Sequence, residues 1–521
     1  MTAEEAAVRA EPAAQGEEPS PGEVRTAVVL VHGMREKRPL EALDGFVRTA
    51  LDPQQAQGEA KWQYHSRPAV ITGSYEARRY VSRQQDSDPT GPEQGDTEIY
   101  DYNWSFLMTS NRFAGLAPTA MRLFLRRPSN VPDPLFGMWR VVWIVVLAIL
   151  LAVPALFVGG YLLSSDVPGS IIGLVSGAVV LLFWFGLLRF VVGALANSAV
   201  AAPLVGVARY LEPSPYSYAA RRAIRGGLVG LLRDLHDGRY SRIIVVAHGV
   251  GAYISYDALS ALWAETHELH AGPAPDVQTP LPIKLNSLDG LEKAADRLLA
   301  DGNSVAELDH FQDRQFALWR DLRKQGNPWR ISDFVTVGAP VALADLLVNR
   351  RGIASGFKKS DLMDRRELFD GLVRRGALVR CPPRSETLPV EGDEHGQVNY
   401  RWHECEAREV LGSQSPFAVT RWTNLWFPVI RGGLHGDWFG GELRSLFGPG
   451  IRDIEVRGNQ PERFKRGSAH TEYFSHPDNG DQGDVAWHLR RTLALQTSNP
   501  ARTEGGPCCR TSVRPAASRS G

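Results

Sequence analysis

Ile243-Ile244-Val245-Val246 is a run of four β-branched residues, which suits a strand covered on both faces, the kind found inside a parallel sheet. It continues into Ala247-His248-Gly249-Val250-Gly251, a turn of small residues. Tyr253, Tyr256 and Leu259 then carry helical spacing. Strand, sharp turn and helix make one βα unit, and a strand buried on both sides demands helices on both faces of its sheet. Other segments repeat the pattern. Thr26 to Val31 is a second apolar run, ending in His32-Gly33-Met34 and followed by helical spacing from Leu40 to Leu51. Glu98 to Trp104 alternates as a half-buried strand does. Ile331 to Val337 closes on Gly338-Ala339-Pro340, Arg421 to Pro428 is an aromatic strand, and Ile451 to Val456 is a short last one. The fold class expected is α/β, with a mostly parallel sheet flanked by helices.

The turn after the first of these strands is similar to the nucleophile elbow G-x-S-x-G of the α/β-hydrolase superfamily, where a serine is lifted above the sheet. Gly249 stands at the serine's position, and Gly251 keeps the small residue that closes the turn. Glycine adopts without cost the angles that strain any other residue there. A glycine-rich βα turn also opens many nucleotide-binding folds, but the fingerprint G-x-G-x-x-G is incomplete and no acidic residue closes a following strand. Further along, Gly338-Ala339-Pro340 resembles the Gly-x-Pro turn that follows the elbow helix in lipase-like members. The loop Gly432 to Gly441 resembles the one bearing the acid, and Ser468 to Phe474 resembles the family's His-x-x-Tyr segment.

The resemblance spans residues 25 to 480 and implies a role for each matching position. Gly249 is the vacant nucleophile position, Asp437 the acid (with Asp453 as rival) and His470 the histidine. This is the chain order nucleophile, acid, histidine of the superfamily. The amides of Met34 and Val250 would line the oxyanion hole. His32, Gly33, His248 and Gly251 would shape elbow and pocket, His248 by packing or by donating a hydrogen bond. Ser255, six residues beyond the elbow centre, lies too far down the helix to replace the missing hydroxyl.

Two further segments differ from the rest of the chain. Val141 to Leu163 is uncharged and apolar, and Ile171 to Leu188 is another such run. About 20 apolar residues cross the ~30 Å hydrocarbon core of a bilayer. The link 164–170 lacks Lys and Arg, whereas Arg122, Arg126, Arg127 and Arg140 precede the pair and Arg189, Arg209, Arg221 and Arg222 follow it. By the positive-inside rule both flanks are cytoplasmic, which makes an inner-membrane protein with two spans. A greasy buried hairpin is the alternative. The expected layout is a leader at 1–23, a first hydrolase-like part at 24–135 and the transmembrane insertion at 136–208. The remainder runs over 209–496, with helices inserted at about 262–330 that could be a cap or a surface addition, and a tail follows at 497–521.

Formal net charge is zero over 521 residues, so no overall field recruits nucleic acid. Four cysteines without C-x-x-C spacing argue against a zinc site or a disulfide framework, and neither metal nor cofactor is expected. Arginine-rich composition suits a bacterial source. Two functions remain. One is a membrane-anchored hydrolase-like protein without serine chemistry that binds a lipid, an ester-like ligand or a partner. The other is an active membrane-bound esterase or lipase-like enzyme in which Asp437 and His470 activate water, or in which another residue enters the site as a non-standard nucleophile. Two spans without an intramembrane charge disfavour a transporter.

Overall fold

The structure is a computed structural model. It describes residues 26–33, 41–50, 63–71, 76–83 and 97–108, positions scattered over 128–151, 207 and 210, then 215–266 without 239 and 286–340 without 325–326. It further describes 371–373, 378–383, 401–403, 409–456 without 431–434, 469–474 and 484–494. The strands are β1 (Thr26–Val31), β2 (Gln63–Ile71), β3 (Glu76–Arg83), β4 (Thr97–Asn103), β5 (Arg242–His248), β6 (Ile331–Val337), β7 (Arg401–His403), β8 (Glu409–Leu411), β9 (Arg421–Trp426) and β10 (Arg452–Glu455). The helices of eight or more residues are α1 (Glu41–Ala50), α2 (Pro215–Asp237), α3 (Gly251–Thr266), α4 (Asn286–Ala300), α5 (Val305–Lys324) and α6 (Val485–Leu493).

Eight strands form one sheet in the order β10-β9-β6-β5-β1-β4-β3-β2, and β7 pairs only with β8. From β10 to β4 all neighbours are parallel; β3 and β2 add an antiparallel edge. Alternation along each strand divides the apolar side chains between two layers, because successive residues point to opposite faces. Ala27, Val29, Val31, Ile243, Val245 and Ala247 join the cluster beneath α2, α3, α4 and α5. Val28, Leu30, Ile244 and Val246 join the other, where Leu43 and Phe46 of α1 meet Val485 and Leu489 of α6. The β-branched run at 243–246 is therefore buried on both faces because both faces carry helices.

The helices read as a cap or surface insertion pack on the sheet. Leu291, Leu298, Phe311 and Trp319 lie in the larger core cluster, and the Gln312 side-chain amide donates to the Trp422 and Gly450 carbonyls. α4 and α5 are thus part of the layer covering the sheet, and α3 runs through the boundary set at 262. Beyond β4 the chain makes a 3-10 turn at Ser105–Met108. β3 runs to Arg83, and residues 84–96 lie outside the described residues. α2, with β2 and β3, carried no sequence expectation. Most of the apolar pair at 141–163 and 171–188 lies outside the described residues, as do the leader and tail; among the described residues no helix is long and apolar enough to cross a membrane.

One histidine makes the fold sensitive to acid. His236, near the end of α2, donates Nδ1–H to the Leu232 carbonyl at 2.7 Å and packs against the Trp329 ring. Its Nε2 is buried without a hydrogen-bond partner among the described residues. Burial, aided by nearby Arg330 and Arg323, pushes its pKa down to about 4. Between the ordinary histidine value of ~6.5 and that value the unfolded chain binds the proton more readily, so stability falls as pH falls across this window. The full loss is up to about 3 kcal/mol. His236→Phe should flatten this acid limb in denaturant titrations repeated from pH 7 to 4; an unchanged limb would assign it to other groups.

Candidate functional site

Parallel pairing aligns the carboxyl ends of β1, β5, β6 and β9, and the turns leaving them meet at one edge of the sheet. Gly249 leaves β5 with φ +56°, in the left-handed region, and its amide donates to the Val337 carbonyl at 3.0 Å. Gly251 opens α3 against β1 so closely that a Cβ there would lie 2.2 Å from the Val31 carbonyl oxygen, which explains the second glycine of the turn. Gly33 leans on His248: a Cβ on it would meet His248 Nδ1 and the His248 carbonyl, each at 3.3 Å. The β1 and β5 turns are therefore packed together. His32 precedes them, its carbonyl accepting from the Trp104 indole at 3.0 Å and its ring stacked on Trp104.

An ideal Cβ on Gly249 would lie 3.0 Å from His470 Nε2. The imidazole edge therefore stands over the position that a side chain at 249 would occupy. His470 Nδ1–H donates to Asp437, 3.0 Å from Oδ2 and 3.2 Å from Oδ1. That bond leaves Nε2 as the basic nitrogen, and no described residue hydrogen-bonds it. The carboxylate is itself held tightly. It accepts from the Tyr473 hydroxyl at 2.9 Å and from the Phe439 amide at 2.8 Å, and Tyr473 in turn accepts from the Phe427 amide at 2.9 Å. Burial opposes ionisation of Asp437, but the adjoining imidazole and the Phe439 and Gly440 amides outweigh it and hold the carboxyl below the usual aspartate value. Burial and the neighbouring Asp437 push the Tyr473 phenol well above its ordinary range, so it stays a donor.

The structure brings Gly249, Asp437 and His470 together, with Val250, Gly33, His248 and Gly251 around them. Met34 lies outside the described residues. His248 does more than pack: its Nε2–H donates to the His470 carbonyl at 2.8 Å, while its ring lies against His470, Tyr473 and Phe474. Asp453, the rival acid, makes its hydrogen bonds elsewhere and not with His470. Asp453 accepts from Asn424 Nδ2 at 2.6 Å and from the Leu443 and Arg444 amides, and burial pushes its pKa up to about 7. Trp438, next to Asp437, is buried in the core.

The sequence alone gives no role to Tyr473 of the His-x-x-Tyr segment, nor to Gly338 and Gly440. A Cβ on Gly338, at φ +57°, would lie 3.1 Å from Asp437 Oδ2, and one on Gly440 would lie 2.4 Å from it. Both glycines make room for the acid, and the Gly-Ala-Pro turn was the available signal for the first. Among the described residues no group of three or more His, Cys, Asp or Glu side chains could hold a metal ion. No protein-family model matches the chain, and no curated protein or solved structure matches it.

Proposed function

We propose that this chain is a membrane-tethered α/β-hydrolase-like protein whose nucleophile position is empty, and that it binds a lipid or ester-like ligand instead of cleaving it by serine chemistry. One observation carries this reading. A glycine in left-handed backbone sits between β5 and α3 with His470 Nε2 over its missing side chain, and His470 is held by Asp437. In a serine hydrolase that histidine takes the hydroxyl proton and the acid fixes its tautomer. At residue 249 there is no hydroxyl to activate. The tether is the apolar pair 141–163 and 171–188, whose length and flanking arginines suit two spans with the sheet on the cytoplasmic side.

The second reading, direct activation of water, draws support from the same Nε2, which is basic and has no described partner. Fluorophosphonate labelling of the purified wild-type chain, with ester turnover measured beside it, separates the two. No labelling and no turnover are expected. Turnover that disappears in His470→Ala would replace the first reading with the second.

A further inference from the structure

We propose that the edge of the sheet carrying Gly249 and His470 is the edge that faces the bilayer, so that the ligand of this site is a lipid drawn from an anionic membrane surface. This rests on the membrane-tethered reading above and adds the direction from which the ligand arrives. The argument begins with topology. β4 is parallel to β1 and β5, so the chain leaves Asn103 at the same edge as Gly249. The chain returns as α2, whose last residue, Asp237, is five residues before the start of β5 at the opposite edge. The Gly238 carbonyl accepts from Arg330, the residue before β6, which fixes that end. At ~1.5 Å per residue the 23 residues of α2 span about 35 Å, against roughly 23 Å for a strand of seven, so its start reaches the Gly249 edge. Both connections of the apolar segment therefore leave the sheet on the side of the site.

The exposed surface agrees. Every exposed large apolar side chain among the described residues lies between Phe106, just after β4, and Tyr218, in the first turn of α2. Between them come Trp143, Ile144, Leu147, Leu150 and Leu151, all helical and all more than a third exposed. The chain just before them docks on the domain: Val131 and Leu135 are in the large core cluster, with Phe136 and Trp139 packed against it. Contact with the core thus ends where the apolar exposure begins. Aromatic and cationic side chains at such a border suit lipid headgroups.

Charge along α2 points the same way. Its first eleven residues contain Arg221, Arg222 and Arg225 but no acid, whereas Arg233, paired with Glu265, and the acids Asp234 and Asp237 lie at the far end. A helix dipole favours the reverse, with acids first and bases last. Arg221 and Arg225 also neighbour Asp257, yet Arg222 and Arg225 remain exposed beside Tyr218. Asp257 answers only part of this charge, and an anionic bilayer surface would complement the exposed arginines.

The test uses the full chain in vesicles of phosphatidylcholine with phosphatidylglycerol. Cys405, Cys508 and Cys509 are changed to serine, and an environment-sensitive fluorophore is attached through Phe106→Cys, Tyr218→Cys or Asp237→Cys. Expected are blue-shifted emission and several-fold stronger quenching by brominated lipid at 106 and 218 than at 237, and weaker quenching at 218 in vesicles lacking phosphatidylglycerol. Carbonate extraction is read in parallel. A chain that resists extraction but shows equal or reversed quenching keeps its tether and overturns the orientation; a chain that is released loses both. Fluorophosphonate reactivity is independent of either result.

Discussion

Gly249→Ser is expected to label with fluorophosphonates at a rate on the order of 10³-fold or more above the wild type. The gain follows from what surrounds the position. Asp437 already accepts from His470, Tyr473 and the Phe439 amide, so the acid and the histidine tautomer are in place before any hydroxyl arrives. The substitution carries two costs. Serine at φ +56° strains the backbone by about 1–3 kcal/mol. Its Cβ would also stand 3.0 Å from His470 Nε2, so the imidazole must recede by a few tenths of an ångström. Gly249→Ala carries the same strain and the same contact without the oxygen, and is therefore the control. Both variants should lose similar stability, and only the serine should label. Adding Asp437→Asn should remove most of the gain. A folded serine variant as stable as the alanine one but still unreactive would sink the vacant-nucleophile interpretation.

Asp333→Ala should cost about 3–5 kcal/mol, the largest stability effect expected of a single change. At the end of the sheet away from Gly249, Asp333 of β6 lies between Arg242 of β5 and Arg421 of β9, with contacts of 2.6 Å and 2.7 Å. All three are buried. Ser332 donates to the same carboxylate, Arg242 also donates to Ser332 and to the Leu493 carbonyl, and the Arg421 guanidinium lies over the Phe316 ring. Removing the acid leaves two guanidinium groups in the interior without their counter-ion. Replacing all three residues by apolar ones of similar volume should restore most of the loss, because desolvation of the ions offsets much of their attraction. Burial opposes ionisation of Asp333, yet the two arginines outweigh it and hold its pKa below the usual value. Its contribution is therefore complete above the ordinary aspartate range and is lost only as pH falls through the depressed value. Denaturant unfolding of the single and triple variants measures both effects. A loss below about 1 kcal/mol in Asp333→Ala would show that water reaches the cluster.

Local pattern was sufficient wherever one strand announced itself. The apolar runs at 26–31, 243–246 and 331–337 are strands buried on both faces, and the small residues at 247–251 are the turn between β5 and α3. The two antiparallel edge strands were not legible, since Gln63–Ile71 and Glu76–Arg83 alternate weakly and carry several charges. The helices at 286–324 were found but not placed, because an amphipathic face shows that something is covered without saying what. Choosing between Asp437 and Asp453 was likewise beyond the sequence, as both are aspartates in loops or at strands near its end.

By itself, the sequence determined the α/β class, the buried strands and the glycine turn that follows β5, because each depends on neighbours within a few residues. Tertiary structure alone decided that Asp437 and not Asp453 holds His470, that Tyr473 steadies the acid, and that His470 stands over Gly249. Those contacts join residues up to 221 positions apart, and only the parallel register of β5, β6 and β9 brings their turns to one edge.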